Sequence, residues 1–211
     1  MMQTRLYLTH ADHGRALSWE EFESAGAEEG YRYEMIEGRV FVSPMPNMPH
    51  DDLKEWLEAA FRAYAQDRPD IVCRISGAAR VFLEDRIDGI TAPEPDIACY
   101  SEYPNDRPLK ERNWRSVSPL FVVEILSEDN QDKDLERNCR LYLEVASIWE
   151  YWILDPLEDA DRPSLIVYRR RGKRWAARRL IPSGGTYTTP MLPGFSLVVD
   201  PWATPPQGAD E

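Results

Sequence analysis

The sequence predicts a single α/β (α+β) domain with a mixed central β-sheet, flanking helices and a C-terminal β-hairpin. Apolar runs at 120–127 and 150–156 lie on either side of a helical segment at 133–145. This strand–helix–strand order predicts a crossover connection between parallel strands. The 211 residues are 43% hydrophobic and 11% aromatic, which is enough for one core and excludes disorder over most of the chain.

The first half of the chain begins with a short capped helix. Ser18 followed by Glu21 forms a capping box, and the glycines at 26 and 30 end the helix. Residues 31–42 alternate as two strands around a turn at Glu37–Gly38. A second, amphipathic helix over 51–67 follows, because its apolar residues recur every three or four positions.

The second half is richer in strands. Polar residues and three prolines predict a long exposed loop at 101–119. We expect a hairpin over 164–180 that turns at Gly172. Further strands are predicted at 71–75, 79–83, 97–100 and 195–199. Together these elements make one domain over 17–200, preceded by a loosely ordered N-terminus at 1–16 and followed by a disordered tail at 201–211.

The charge balance is strongly acidic. The chain has 37 acidic and 25 basic residues and a formal net charge of −12, which argues against a protein that coats nucleic acid or an anionic membrane. No apolar stretch is long enough to span a membrane, and the N-terminal residues lack the apolar run of a signal peptide. The three widely spaced cysteines are typical of reduced thiols, so we expect a cytoplasmic protein with no membrane partner.

One basic segment stands apart from this acidity. Residues 162–181 contain eight basic and no acidic side chains, which leaves a charge of −20 on the rest of the chain. Its hairpin is a candidate for binding a phosphate backbone, through Arg169, Arg171, Lys173 and Arg174. Alternatively, these arginines pair with the protein's own carboxylates. Any binding of DNA is expected to be weak and steeply dependent on salt.

Two acids break the local pattern of their strands. Asp96 enters an apolar strand after two prolines, and Glu124 lies in the otherwise apolar run LFVVEILS. A buried glutamate must be protonated, paired with a base or bound to a cation, because an unpaired charge there is costly. Glu124 either pairs with an arginine across the sheet or contributes, with Asp96, to a site for a hard divalent cation such as Mg²⁺.

Four segments resemble a known family. The chain is similar to the Uma-type putative restriction endonucleases of the PD-(D/E)XK nuclease superfamily. The similarity lies in the segments YRYEMIEGRVFVSPMPNMPH, PEPDIACY, LFVVEILS and DKDLERNCRLYLEVASIWEYWILDP. The resemblance covers about residues 17–200 and implies a restriction-endonuclease-like core. It also implies Mg²⁺ (or Mn²⁺) bound by Asp96 and Glu124, with the backbone carbonyl of Ile125 as a further ligand.

The lysine that this superfamily uses to orient water is displaced here. Two residues after the acid stands Leu126, and the Uma-type position, four residues after Asp134, holds Asn138. Asn138 can hydrogen-bond a water or a carboxylate but supplies no charge. Lys133 is the nearest replacement and Arg137 is another; alternatively, Lys133 is a solvated helix residue.

Two further positions match the family. Glu34 is either a third acid directed at the metal or an exposed strand residue. His50 either caps the following helix, which its position favours, or lies near the site.

Two functions from different classes follow. The first is a Mg²⁺-dependent DNA endonuclease, which the superfamily suggests would act as a homodimer. The second is a catalytically weakened nuclease fold that serves as a module for nucleic-acid binding, protein binding or oligomerisation.

Overall fold

A seven-stranded sheet carries the candidate site of this protein. The computed structural model describes residues 5–83, 89–128 and 131–203. The strands are β1 (Tyr7–Leu8), β2 (Gly26–Ala27), β3 (Tyr31–Ile36), β4 (Arg39–Pro44), β5 (Arg74–Ser76), β6 (Ile97–Tyr100), β7 (Phe121–Ile125), β8 (Glu150–Asp155), β9 (Ser164–Arg171), β10 (Arg174–Trp175), β11 (Arg179–Ile181), β12 (Thr186–Thr188) and β13 (Ser196–Val198). The α-helices are α1 (Trp19–Ser24), α2 (Met48–Asp67) and α3 (Cys139–Glu144). A π-helix (Lys133–Asn138) precedes α3, and 3₁₀-helices cover His10–Asp12, Leu109–Glu111 and Trp114–Ser116.

The strand order of the central sheet is β10-β9-β8-β7-β6-β5, and β11 also pairs with β9. Strands β7 and β8 are parallel, whereas the other pairs in this sheet are antiparallel. The expected mixed sheet, its crossover helix and the C-terminal hairpin are therefore confirmed. Gly172 turns the hairpin with a φ of +63°, a conformation that glycine adopts without strain.

Both faces of the sheet are covered, since successive side chains of a strand point to opposite sides. On β7, Phe121, Val123 and Ile125 pack in a core that includes α2 and the β12–β13 hairpin. Val122 packs on the opposite side, in a core that includes Leu141 and Tyr142 of α3. Glu124 belongs to this second face, which therefore carries the candidate site.

The first half of the chain forms largely as predicted. The Ser18 side chain accepts from the Glu21 amide, and the Glu21 carboxylate accepts from the Ser18 amide, as in a capping box. Glu37 and Gly38 turn the β3–β4 hairpin with positive φ angles of 52° and 69°. Helix α2 begins earlier than predicted, at Met48, because the Asn47 side chain caps it.

The predicted strand at 79–83 is wrong. Ala79, Val81 and Leu83 are buried, but the segment forms only an isolated bridge between Leu83 and Thr91. Its neighbouring segment contains Pro93, which has no N–H to continue a ladder of hydrogen bonds. Every second side chain of this segment is therefore buried, as in a strand, although the segment does not form one. Strand β5 is also shorter than predicted and begins at Arg74.

The structure describes the two ends of the chain only in part. Residues 1–4 and 204–211 lie outside the described residues. The N-terminus, expected to be loosely ordered, contains β1, which pairs with β2, and Leu8 is buried against the core around Met35 and Val40. None of the helices in the described ranges has the length and hydropathy that a membrane crossing requires.

Candidate active site

The two predicted acids lie next to each other. Asp96 immediately precedes β6 and Glu124 lies on β7, and the antiparallel register that pairs Ile97 with Val123 brings them together. Both are buried, at 3% and 0% exposure. The Ile125 amide donates to Asp96 Oδ2 at 2.9 Å, and the Asp96 amide lies 3.3 Å from Glu124 Oε2. The predicted pair of carboxylates is therefore held by the backbone of two adjacent strands.

The π-helix presents three polar residues to these acids. Asp134 and Asn138 are buried, and the Lys133 side chain is only 14% exposed. In an α-helix, Lys133 and Asn138, five positions apart, would point about 140° away from each other. A π turn contains more residues, so positions five apart lie closer to the same face. The π-helix thereby turns Lys133 toward the site.

The Asn138 side chain links two carboxylates. Its Nδ2 donates to Glu124 Oε1 at 2.8 Å and to Asp134 Oδ1 at 3.0 Å. Glu124 Oε1 also accepts from the Tyr142 hydroxyl at 2.8 Å. Within the described ranges, Glu124 makes no hydrogen bond or ion pair with an arginine, so the expectation of a cross-sheet arginine partner is not met.

Lys133 is a buried cation among acids rather than a solvated helix residue. Its Nζ lies 3.8 Å from Asp134 Oδ1. Burial opposes its charge, but the fields of Glu34, Glu124 and Asp134 prevail and raise the pKa of Lys133. The amine is therefore held in its charged form close to both predicted acids.

Asp96 contacts an arginine and a histidine. Arg32 Nη1 donates to Asp96 Oδ1 at 2.7 Å, and His50 Nε2 lies 3.0 Å from Asp96 Oδ2. His50 thus lies at the site and does not cap α2, a role that Asn47 fills. Arg32 was missed in the sequence, although the alternation of β3 places it on the same face as Glu34.

Glu34 is a buried member of the cluster and not an exposed strand residue. Its carboxylate accepts from Arg137 Nη2 at 2.6 Å and from the Glu94 amide at 2.9 Å. Arg137 Nε also donates to Asn138 Oδ1 at 3.0 Å, which fixes the orientation of the Asn138 amide. Arg137 is therefore committed to Glu34 and Asn138, and Lys133 is the other cation on this helix.

The acids of the cluster differ in protonation. Burial opposes the charge of Asp96, but its hydrogen bond to His50 and the charges of His50 and Arg32 outweigh burial and lower its pKa. Burial and the nearby Asp134 instead raise the pKa of Glu124 well above the ordinary range. Burial likewise raises the pKa of Asp134 to about 7, against the opposing effect of Lys133. The cluster therefore has more acids than its cations neutralise.

A cavity of about 460 Å³ opens onto this cluster. Asp96, Lys133 and Asp134 lie in its wall, together with Arg32 and His50. The proline-rich segment that joins β4 to α2 and the residues after β8 complete the rim. The cavity gives a ligand access to Asp96, to Asp134 and to the Lys133 ammonium group.

Comparison with known proteins identifies the family. Residues 19–200 match the Uma2 family, described as "Putative restriction endonuclease". The chain belongs to the Uma2 family. The resemblance of the motifs to this family is thereby confirmed, over almost the same range.

The fold of this Uma2 protein also occurs in a solved structure. A crystal structure from Anabaena variabilis, described as "a putative nuclease belonging to DUF820", superimposes with a TM-score of 0.66 at 20% sequence identity. The match covers 87% of this chain and 95% of the other. At this identity the similarity supports the fold alone. No curated protein matches the chain.

The donor chemistry of the Uma2 site suits a hard divalent cation. Asp96 and Glu124 offer oxygen ligands, and a cation at Glu124 would replace the proton that its raised pKa favours. Across the described ranges, however, no group of three or more His, Cys, Asp or Glu side chains is placed so that it could hold a metal ion. The Ile125 amide, rather than its carbonyl, contacts Asp96. A bound cation would therefore rely on water or substrate for its remaining ligands.

The basic hairpin of the Uma2 protein lies away from this site. In the sheet register, Arg169 lies opposite Glu150, the first residue of β8. Glu124 lies beside Ile153, three residues farther along β8. Arg169 Nε donates to Glu150 Oε1 at 2.7 Å, as the alternative of internal pairing predicted. The structure thus does not bring Arg169, Arg171, Lys173 and Arg174 to the acid cluster.

Proposed function

We propose that this protein is a divalent-cation-dependent nuclease that hydrolyses phosphodiester bonds in DNA. The observation that carries the proposal is the buried Lys133 ammonium group beside Asp134 and among Glu34, Asp96 and Glu124. A buried cation surrounded by acids at the wall of a cavity combines a charged donor with candidate cation ligands. Family membership supports the nuclease class.

Each residue has a role in this proposal. Asp96 and Glu124 would hold Mg²⁺ or Mn²⁺, which when bound stabilises charge on the phosphate and lowers the pKa of water. Lys133 would position the attacking water, because its three donors and fixed charge suit an oxygen nucleophile. The Asn138 amide donates to both Glu124 and Asp134 and so fixes their relative position. Arg32 and His50 orient Asp96.

Plasmid nicking in Mg²⁺ or Mn²⁺ tests the proposal. Asp96→Asn and Glu124→Gln keep the size of each side chain and remove its charge, and we expect either change to abolish nicking. Asp70→Asn and Glu58→Gln are matched controls, since these acids pair with arginines at the surface. Circular dichroism checks that all four variants fold. Nicking that survives in Asp96→Asn or Glu124→Gln would refute the proposed site.

A weakened nuclease fold is the second candidate, and Asn138 favours it. Without a lysine at this position, the protein would act in binding and not in hydrolysis. The discriminating variant is Asn138→Lys. A protein that lacks a working lysine should gain nicking activity from this change, whereas one that uses Lys133 should not, because the two ammonium groups would repel each other.

We further propose a homodimer, since cutting both strands of a duplex requires two sites. Sedimentation velocity gives the mass in solution. A protein that linearises plasmid as a monomer would contradict this proposal.

A further inference from the structure

A second charged surface lies on the C-terminal hairpin, where the strand register gathers arginines on one face. Arg174 pairs with Arg171 between β10 and β9, and Arg179 pairs with Val167 between β11 and β9. Since alternate residues of a strand share a face, Arg169, Arg171, Arg174 and Arg179 all lie on the same side of the sheet. We call this set the arginine face.

Two members of the arginine face have partners within the protein. Arg169 donates to the buried Glu150, and Arg179 lies over the Tyr187 ring at 5.4 Å. Among the described residues, Arg171, Lys173 and Arg174 form no ion pair, although the rest of the chain carries a large excess of acids.

The pairing of Arg171 with Arg174 is unfavourable by itself. Like charges directly opposite each other destabilise an antiparallel pair. The Gly172–Lys173 turn adds a third positive charge at the same tip. An anion bound between these groups would remove the repulsion.

The arginine face also encloses space. A cleft of about 420 Å³ lies between the four arginines, and none of the described residues that line it is acidic. Ala176 and Ala177 form part of its floor, and their small side chains leave room between the guanidinium groups. Arginine guanidinium groups bind phosphate oxygens in a bidentate manner.

The cleft is separate from the acid cluster. Glu124 is level with Ile153 and Ile166 in the sheet, and Arg171 lies five residues farther along β9. Strand geometry places the two sites on the order of 20 Å apart. They also face opposite sides of the sheet, because Arg171 lies on the same face of β9 as Leu165 and Val167, which pack on the side opposite Glu124.

We propose that the arginine face is a second, non-catalytic site that binds the phosphate backbone of DNA. The choice of DNA as the ligand rests on the proposed function. The inference that the arginine face binds an anion is independent of that function. Arg171, Lys173 and Arg174 contact consecutive phosphates, while Arg169 and Arg179 are held in place by Glu150 and Tyr187. Contacts to phosphate oxygens carry no sequence information, so binding through them is independent of sequence.

Fluorescence anisotropy of a labelled 24-base-pair duplex in EDTA tests this site. EDTA removes divalent cations, so hydrolysis does not interfere with binding. Arg171→Ala/Arg174→Ala is expected to weaken binding by about tenfold at low salt and to reduce the slope of log K against log salt by about 2. Arg62→Ala/Arg68→Ala is the matched control, because it removes two arginines that pair with acids elsewhere on the surface.

Each outcome decides the proposal. Binding that weakens only in Arg171→Ala/Arg174→Ala supports the site, whereas equal affinities and slopes for the two double variants overturn it. Inorganic tripolyphosphate serves as a competitor: displacement of the duplex at equal molar concentration would assign the cleft to a small polyphosphate and overturn the DNA proposal. A duplex that binds through the cleft but is never nicked in Mg²⁺ or Mn²⁺ refutes the nuclease alone.

Discussion

The Asn138 amide supplies the hydrogen bonds that a lysine at this position would donate. It does not supply the positive charge of a lysine. Asn138 Nδ2 contacts Glu124 and Asp134 within 3.0 Å. An amide is neutral, so these contacts do not reduce the negative charge of the cluster. The positive charge comes from Lys133, five residues earlier. The two functions of one side chain, donor and cation, are thus divided between two residues.

Replacing Lys133 by methionine tests this division. Lys133→Met keeps the length of the side chain and removes its ammonium group, and we expect plasmid nicking to fall by about 100-fold or more. Lys110→Met, at an exposed lysine, is the matched control. Adding Asn138→Lys to Lys133→Met should restore activity. Unchanged nicking in Lys133→Met would show that this lysine has no part in the reaction.

Asp134 makes stability depend on pH. Its pKa rises from an ordinary 3.8 to about 7 in the folded protein, so the folded state holds more protons than the unfolded state between these values. The contribution of Asp134 to the free energy of unfolding therefore decreases as pH rises from about 4 to 7. Asp134→Asn removes this titration.

Urea denaturation of wild type and Asp134→Asn at pH 4 and pH 8 measures the effect. We expect the free energy of unfolding of Asp134→Asn, relative to that of wild type, to be higher at pH 8 than at pH 4. A difference between the two proteins that does not change with pH would contradict the assignment.

The helix after β7 illustrates what an element can and cannot reveal through its sequence. The sequence predicts a single helix at 133–145. In the structure its first six residues form a π-helix, in which Asp134 and Asn138 are buried, and α-helical geometry begins only at Cys139. The α-helical period therefore does not describe the start of this helix. The wider turn depends on tertiary contacts, such as the Tyr151 hydroxyl on the Asp134 carbonyl at 2.9 Å, which no local pattern reports.

Apolar runs and turn residues predicted most other elements. The parallel pair β7–β8 and the turns at Gly38 and Gly172 follow from local chemistry and appear in the structure. The pairing of Asp96 with Glu124 was also accessible, because each acid interrupts an apolar strand. Arg32 was not, since its role depends on how the β3–β4 hairpin packs against the sheet.

The β8–β9 pair depends on a buried carboxylate. Glu150 accepts hydrogen bonds from Trp152 and Arg169, and from the hydroxyls of Tyr187 and Thr189. Glu150→Ala would leave these donors without their acceptor and should lower the free energy of unfolding by about 3 kcal/mol. Glu158→Ala, at an exposed acid, is the control. Equal stabilities by urea denaturation would show that this network contributes nothing.

Across the whole molecule, acidity and function are compatible. The net charge of −12 argued against a nucleic-acid coat protein, yet it combines an acidic body with a basic hairpin. Part of the acidity is concentrated in one buried cluster, where a divalent cation would relieve repulsion between carboxylates. Cation binding should therefore stabilise the fold as well as support the proposed reaction.

Thermal unfolding with and without Mn²⁺ measures this stabilisation. A ligand present at 100 times its Kd stabilises the native state by about 2.7 kcal/mol, so we expect Tm to rise by several degrees. Glu124→Gln should lose this response, and Glu58→Gln should keep it. The same rise in both variants would place the cation elsewhere.

The π-helix has a consequence for how such chains are classified. A search pattern that requires a lysine four residues after Asp134 scores this protein as an inactive homologue, because it finds asparagine there. In space, an ammonium group nevertheless lies 3.8 Å from Asp134. The π-helix therefore brings the Lys133 ammonium group to the site, although the sequence pattern looks for the lysine at position 138. A survey that counts lost lysines along the sequence would therefore misclassify this chain.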